Sequence, residues 1–247
     1  MSEVLEIYLN SKSADKYFNN NISDALFSLP NIKIQKTEKA YISVKDAVVP
    51  HSFYNANNSN NRLDYTINSI DYSVTMLNGN YNVLTFKTHL LELFVAEGNA
   101  NWSIAYNTKT NKYAFSNTSH DFTFKSTSNC FELLGFIDNN DYTSVSLILN
   151  STIGVNMFTI KNIYVTSDNF ILNNIDSNNH NKSNIICSIP VKGVANSILF
   201  YEDNTKHLVY KVENLTSLRI ILTDENSNLI DFNNIHYSIT LEITITK

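Results

Sequence analysis

Histidines, cysteines and paired acidic residues are the groups in this sequence whose types could support catalysis or metal binding. The six histidines stand at positions 51, 89, 120, 180, 207 and 236, and no two lie within five residues of each other. Metal sites of the HxH or HExxH kind place two histidines on one strand or one helical turn, so that both reach the same ion. The chain also lacks the GxGxxG and GxxxxGKS/T loops that hold nucleotide phosphates. The spacing therefore predicts neither a metal ion nor a nucleotide cofactor.

Acidic residues occur in four pairs that could supply the two carboxyl groups of a glycosidase, which lie about 5 to 10 Å apart in that class. The pairs are Glu92 and Glu97, Asp138 and Asp141, Glu202 and Asp203, and Asp224 and Glu225. Adjacent acids in polar turns are usually solvated turn residues. We therefore predict no catalytic residue, no cofactor and no enzymatic activity. A glycosidase-like jelly roll stays an alternative, which requires a cleft that brings two carboxylates together.

The two cysteines, Cys130 and Cys187, are too few for a disulfide framework and are interpreted as buried thiols in a reducing compartment. The first residues show no basic segment followed by an apolar one, so no signal peptide is expected. No apolar run approaches the ~20 residues of a membrane helix. These features favour a protein that assembles in a cytoplasm and does not span a membrane.

Composition and charge exclude two further classes of protein. Of 247 residues, 43% are hydrophobic and 12% aromatic, which is enough for a packed core and excludes wholesale disorder. The chain has 18 basic against 23 acidic residues, so its net charge of −5 offers nothing to nucleic-acid phosphates. Aromatic side chains could form a sugar-binding platform, although they also fill the cores of β-sandwiches. A receptor- or glycan-binding β-sandwich head therefore stays open as an alternative.

Alternation of apolar and polar residues with a period of two dominates the chain and predicts short β-strands. The predicted strands cover 41–49, 63–67, 72–77, 102–106, 113–115, 142–149, 162–166, 184–189, 197–201, 208–212, 218–222 and 236–246. The pair at 102–106 and 113–115 forms a hairpin. Such a series predicts a mainly β chain, namely an antiparallel β-sandwich that is a single jelly roll with an inserted helix and hairpin.

Two segments have a helical rather than an alternating pattern. Residues 82–97 place apolar side chains along one helical stripe, and Gly98 suits the left-handed position after a helix. A second, short helix is predicted with Ser128 as its cap and Gly135 as its end. Its packing residues are Phe131, Leu133 and Leu134.

The expected domain organisation is an N-terminal arm over 1–35 and a jelly-roll domain over 36–247, with an insertion at about 80–137. The arm groups large apolar residues between Tyr17 and Leu29, and Ser23 and Asp24 could cap one helical turn that Pro30 would end. Two alternatives stay open for it. It folds back on its own sandwich, or it packs on a neighbouring subunit and becomes ordered only on assembly.

Five segments carry a resemblance to a known family. They are Ala40–Asn57, with a strand, Pro50 and then Phe-Tyr-Asn; Gly79-Asn-Tyr-Asn before a helix; the hairpin Trp102–Phe115; Cys130-Phe-Glu-Leu-Leu-Gly-Phe; and the final hairpin Leu218–Ile243. In this order they resemble the penton-type minor capsid proteins of virophages and Polinton-like viruses, over roughly residues 40–246.

That resemblance implies a structural virion protein that closes the fivefold vertices of an icosahedral capsid as a homopentamer. Its implied partner is the larger, double-jelly-roll major capsid protein around the vertex. The family supplies no catalytic, cofactor-binding or metal-binding residues. Interface anchoring would then depend on Tyr, Phe and Leu, because the chain has only two arginines, Arg62 and Arg219.

Overall fold

A computed structural model of the chain describes residues 2–35, 37–173, 175, 184–203, 205–210 and 214–247. The polar loop expected over 173–184, with His180, lies outside these residues except at 173, 175 and 184. The chain forms two compact units. The first comprises Met1–Phe53 and Ile160–Lys247, and the second comprises Tyr54–Thr159.

The described residues contain seventeen strands and two α-helices. In chain order, the elements before the first helix are β1 Ser2–Asn10, β2 Lys16–Tyr17, β3 Asp24–Lys33, β4 Lys39–Pro50, β5 Arg62–Ile67 and β6 Ile70–Thr75. They are followed by α1 Val83–Ala96, β7 Trp102–Asn107, β8 Lys112–Asn117, β9 Phe122–Phe124, α2 Phe131–Leu134, β10 Tyr142–Thr143 and β11 Ile148–Asn150. The last six are β12 Asn162–Thr166, β13 Ile185–Pro190, β14 Ile198–Glu202, β15 His207–Val209, β16 Asn214–Thr223 and β17 Ser238–Thr246.

The first unit is a sandwich of two five-stranded antiparallel sheets. Sheet A has the order β1-β17-β4-β14, with β15 also paired to β4, and sheet B has the order β13-β12-β16-β3-β2. Alternate residues of both sheets enter one core, such as Ile243 of β17 and Ile220 of β16. The chain is 47% strand and 9% helix, so the predicted mainly β jelly roll with low helix content is confirmed.

A β-bulge keeps the longest strand in phase with this core. In β4, Val44 pairs with Leu241 and Asp46 with Thr240, which leaves Lys45 as the extra residue. The buried apolar side chains therefore change from even numbers before the bulge to odd numbers after it, with Ile42 and Val44 followed by Ala47 and Val49. Without the extra residue, the second half of the strand would turn its apolar side chains to the solvent.

The second unit has its own core, formed by two small antiparallel sheets and both helices. The sheets have the orders β10-β9-β5-β6 and β11-β8-β7. Trp102 lies at the centre of an aromatic cluster, with ring centroids 4.4 Å from those of Phe94 and Phe122. Aromatic pairs at such distances contribute about 0.5–1.5 kcal/mol each beyond the burial of their area.

Both predicted helices and the predicted hairpin are present. The side chain of Asn82 accepts hydrogen bonds from the backbone of Leu84 and Thr85 and begins α1 with a capping box. Gly98 and Gly135 follow the two helices in the left-handed conformation, with φ of 80° and 79°. The hairpin is formed by β7 and β8.

Ser128 does not cap α2. Its hydroxyl instead accepts a hydrogen bond from the backbone of Asp64 at 2.9 Å, on β5. The N-cap residue is Cys130, which makes no capping bond with its side chain. The capping rule concerns local sequence, whereas Ser128 has a better-placed donor from a strand that is distant in sequence.

The unit boundaries differ from the expected insertion of about 80–137, because the second unit extends over Tyr54–Thr159. The strands at 63–67 and 70–75 belong to this unit, and Leu63 and Tyr65 are buried in its core. The segment predicted as one strand over 142–149 is split into β10 and β11, which lie in different sheets. Alternation marks a segment as a strand, but it does not identify the strand with which it pairs.

The expected N-terminal arm covers residues 1–35, of which the structure describes 2–35, and these belong to the sandwich. Strand β1 pairs with β17 over its whole length, and β3 pairs with β16. The expected helical turn is instead part of the strand β3, which contains Pro30. The pairing of β3 with β16 is irregular at this point, so the N–H group that proline lacks is not required for a hydrogen bond. This arrangement corresponds to the fold-back alternative.

Asparagine supplies most of the left-handed turns. The chain has only five glycines. Eight of the twelve described non-glycine residues with positive φ are asparagines, at 19, 20, 68, 111, 139, 196, 233 and 234. Asparagine tolerates this conformation better than most other side chains do, so it takes the place of glycine in these turns.

Candidate functional site

The four acidic pairs do not form a catalytic centre in the described part of the chain. Asp224 accepts hydrogen bonds from the backbone of Asn226 and Asn228, each at 2.8 Å, and Glu225 accepts from the backbone of Lys161 and Asn162. These carboxylates close turns and join loops. Their oxygens are occupied by backbone donors, and the glycosidase alternative gains no support from them.

The remaining pairs have similar local roles. Asp203 accepts from Tyr201 Oη at 2.9 Å and from the backbone of Thr205 at 3.0 Å. The backbone of Ser126 donates to Asp141 and lowers the pKa of that carboxyl. Within the part of the chain that the structure describes, the Glu92 carboxylate contacts only the imidazole of His89, at 3.4 Å. Among the described residues, no three histidine, cysteine or acidic side chains are grouped to hold a metal.

Both cysteines are free and buried, as the sequence predicts. Cys130 is fully buried in the core of the second unit and Cys187 is 9% exposed in the core of the first. Burial raises the pKa of both thiols because it disfavours the charged thiolate. Neither has the character of a nucleophile. Within the described residues, no helix is long and apolar enough to cross a membrane.

A shallow polar cavity of about 280 Å³ lies between two asparagine-rich loops of the first unit. Its lining consists of Asn19, Asn20, Asn21, Ile22, Asp231, Phe232 and Asn234. A sugar site would use an exposed aromatic face for stacking, whereas Phe232 is only 1% exposed. The cavity therefore does not favour the glycan-binding alternative.

The outer face of sheet A carries exposed apolar side chains at one edge. Ile198 and Phe200 on β14 are 68% and 67% exposed, and Val194, in the preceding turn, is 76% exposed. Ile198 pairs with Pro50 of β4, and Phe200 pairs with Val48. We call Val194, Ile198 and Phe200 the β14 flank. Such a group on a rim of polar residues is typical of a surface that another protein covers.

The opposite edge of the same sheet carries a different set of apolar residues. Val4 and Tyr8 on β1 are 52% and 75% exposed and form what we call the β1 flank. The face between the two flanks is polar, with ion pairs from Lys45 to Glu6 at 2.5 Å and from Lys206 to Glu242 at 2.7 Å. Bonds from these lysines lower the pKa of both glutamates. The sheet therefore has two unlike apolar edges, separated by ion pairs.

Helix α1 presents a third apolar surface, on the second unit. Its inward side chains Phe86, Leu90 and Phe94 are fully buried. On the outward side, Leu84 and Val95 are 57% and 56% exposed. Leu91 lies between them in the helix and is half-buried, because it also packs against the core of the unit. A surface helix normally has one apolar face and one polar face, so a second apolar stripe requires a separate explanation.

None of these surfaces was identified from the sequence. A signal existed at β14, where Ile198, Leu199 and Phe200 form an uninterrupted apolar run. A strand with one buried face alternates, so such a run indicates that its outer face is apolar too. The phase that puts Leu199 inside and its neighbours outside depends on the pairing with β4.

Comparison with known proteins finds similarity among solved structures. No family model matches the chain, and no curated protein matches it. Among solved structures, the chain is similar to the mavirus penton protein, with a TM-score of 0.50 and 10% sequence identity. The match covers 100% of this chain and 99% of that chain. The resemblance predicted from the sequence is therefore confirmed as a penton-like fold.

Proposed function

We propose that this protein is a capsid structural protein, a penton-type minor capsid subunit that closes the fivefold vertices of an icosahedral capsid as a homopentamer. The observation that carries the proposal is the structural match over the whole of both chains, which includes the insertion as well as the sandwich. In this proposal the protein is assembled in the host cytoplasm, resides in the virion and contacts a double-jelly-roll major capsid protein around the vertex.

The arrangement of apolar surfaces on sheet A supports ring formation. Subunits related by a rotation axis make heterologous contacts, in which one surface of each copy meets a different surface of the next. The β14 flank and the β1 flank are two unlike apolar edges of one sheet. We therefore propose that they take part in contacts between successive copies, with Phe200 and Tyr8 as the main anchors.

The same proposal assigns no chemistry to the carboxylates. Asp224 and Glu225 each accept two or more hydrogen bonds from backbone N–H groups of neighbouring residues. Such bonds hold the loops of the sandwich in place, which suits a rigid shell subunit. No substrate or cofactor is required for this role.

Assembly of the purified full-length protein tests the proposal. Mass photometry is expected to detect a species of five chains, and class averages from electron microscopy are expected to show closed rings. Phe200→Asp should lower the ring fraction at least tenfold, because it places a charge in the contact. A protein that stays monomeric at every concentration, or forms open chains, would contradict the proposal.

Phe158→Asp is the matched control for Phe200→Asp. Phe158 is 73% exposed and lies in the second unit, so the substitution removes a similar apolar area and adds the same charge. The ring fraction should stay within a factor of two of the native value. An equal loss in both variants would show that solubility or charge, rather than the β14 flank, controls assembly.

A further inference from the structure

The outward stripe of α1 has the spacing of a helix–helix seam. Leu84, Thr88, Leu91 and Val95 stand four, three and four residues apart, which is the alternation of d and a positions in a heptad repeat. The Thr88 hydroxyl donates to the Leu84 carbonyl at 3.1 Å, so a partner can cover it without leaving a polar group unpaired. We call these four residues the α1 seam.

Charges beside the seam favour one orientation of a partner helix. With Leu84 at d, Lys87 occupies g and Glu92 occupies e of the following heptad. In a parallel pair of identical helices, each g residue faces the e residue of the following heptad on the other helix, which is five positions later in the sequence. Lys87 of one copy therefore faces Glu92 of the other. In an antiparallel pair, e faces e and g faces g, and the two glutamates approach each other instead.

Both charged groups are free to make this contact. Lys87 has no ion-pair or hydrogen-bond partner for its ammonium group among the described residues, and Glu92 is 68% exposed with only the His89 contact. Opposite charges at these positions are typical of seams that select their partner and its orientation. The charges of this helix are therefore complementary to those of a second copy of the same helix.

We propose that the α1 seam packs in parallel against the α1 seam of a second copy of this chain. In a ring of five, the same surface of every copy can meet itself only around the rotation axis, where the five α1 helices stand parallel, so the inference rests on the proposed ring for its symmetry. The helix is only about 21 Å long at 1.5 Å per residue. A stable interface buries about 800 Å² per partner, and a helix of this length buries less. The seam therefore acts together with other contacts of the ring.

Disulfide cross-linking of two single variants tests the orientation. Leu84→Cys and Val95→Cys lie at opposite ends of the seam, about 16 Å apart along the helix. Parallel packing brings each cysteine to its own equivalent, and both variants should form two-chain products under mild oxidation. Antiparallel packing holds equivalent cysteines too far apart for a bond, whose Cα separation is about 4.4–6.8 Å. The buried native cysteines should leave the unmodified protein without cross-links.

Ala96→Cys is the matched control, since Ala96 is exposed on the same helix but lies off the seam. It should form at least fivefold less product than Val95→Cys. In a Leu84→Cys background, Lys87→Glu alone or Glu92→Lys alone should reduce the cross-linked fraction several-fold. The double exchange, Lys87→Glu with Glu92→Lys, should restore it.

The outcomes separate this inference from the proposed function. Rings without a Leu84→Cys product overturn the inference and leave the penton proposal standing, with the seam covered by something other than α1. A product without rings supports the seam and overturns the homopentamer. If the protein forms neither rings nor cross-linked product, the inference and the proposed function are both overturned. If rings form, and Leu84→Cys and Val95→Cys give cross-linked product while Ala96→Cys does not, both are supported.

Discussion

Arg219 holds Asp24 with two parallel hydrogen bonds, from Nε to Oδ1 and from Nη2 to Oδ2, each 2.7 Å long. The Asp24 side chain is 3% exposed, and it stands at the start of β3, while Arg219 lies on β16. The guanidinium also lies 4.3 Å from the centroid of the Phe18 ring. One side chain therefore joins two strands and the loop before β3, at positions 195 residues apart in sequence.

Arg219→Met should destabilise the sandwich by about 2–3 kcal/mol, because it leaves a buried carboxylate without its cation. Arg219→Lys should recover less than half of this loss, since an ammonium group cannot reproduce the two-bond geometry. Urea unfolding measures both. Arg62→Met is the control, with an expected loss under about 1 kcal/mol, because the Arg62 side chain is exposed and its ion pair with Asp64 is 3.2 Å long. Equal losses in the Met variants would contradict this account.

Gly135→Ala and Gly98→Ala separate the effect of crowding from that of backbone conformation. Both glycines are left-handed, with nearly equal φ. A Cβ on Gly135 would stand 2.7 Å from the Ile153 carbonyl oxygen, whereas nothing lies within 4 Å of one on Gly98. Gly98→Ala should cost about 1–2 kcal/mol for the conformation alone, and Gly135→Ala at least about 2 kcal/mol more. Similar thermal midpoints in the two variants would show that the α2 turn relaxes freely.

Asp121 should make the second unit less stable at acid pH. The backbone N–H of Leu147 and then the Ser144 hydroxyl donate to its carboxylate and lower its pKa. A lowered pKa contributes stability above the ordinary value of about 4, and the contribution disappears as the pH falls through the folded value. In urea unfolding, the stability gap between native protein and Asp121→Asn should therefore narrow from pH 6 to pH 3.

The control for this titration is Asp138→Asn. The Asp138 carboxylate accepts no hydrogen bond among the described residues. The difference in unfolding free energy between native protein and Asp138→Asn should therefore be small at both pH values. If the difference in unfolding free energy between native protein and Asp121→Asn stays constant between pH 6 and pH 3, the carboxylate contributes through its shape alone.

Cys130 and Cys187 should react with a thiol reagent only after unfolding. Burial removes access and raises the pKa of each thiol, so the reactive thiolate is scarce at neutral pH. We expect no titratable thiol in the native protein and two per chain in denaturant without reductant. Fewer than two after denaturation would indicate a disulfide and contradict assembly in a reducing compartment.

Residues 2–10 and 24–33 should be protected from hydrogen exchange in the isolated subunit, because their backbones are paired in sheets A and B. Protection that rises strongly only after assembly would instead support an arm ordered by a neighbouring subunit. Mass spectrometry of peptides from both states distinguishes these results. The loop Asn68–Ser69, between two strands of the second unit, serves as an exposed reference.

Local patterns in the sequence were sufficient for many elements of this fold, but not for β1 and β3, and not for the division of 142–149 into two strands. The apolar stripe over 82–97 and Gly98 after it predict α1, because helix periodicity and the residue that ends a helix are contained within one segment. The alternation around Ile163 and Ile220 predicts strands for the same reason. The order of five weak segments also predicted the penton-like fold, which the structural comparison confirms.

The tertiary structure alone decided which strands share a core and which side chains stay outside. Tyr65 enters the second core and Ile42 the first, although both belong to similar alternating strands. The extra residue Lys45 reverses the phase of β4, and pairing with β4 leaves Phe200 exposed. Strand pairing joins positions far apart in sequence, so no local pattern specifies it, and the choice of which apolar side chains face outward follows from that pairing.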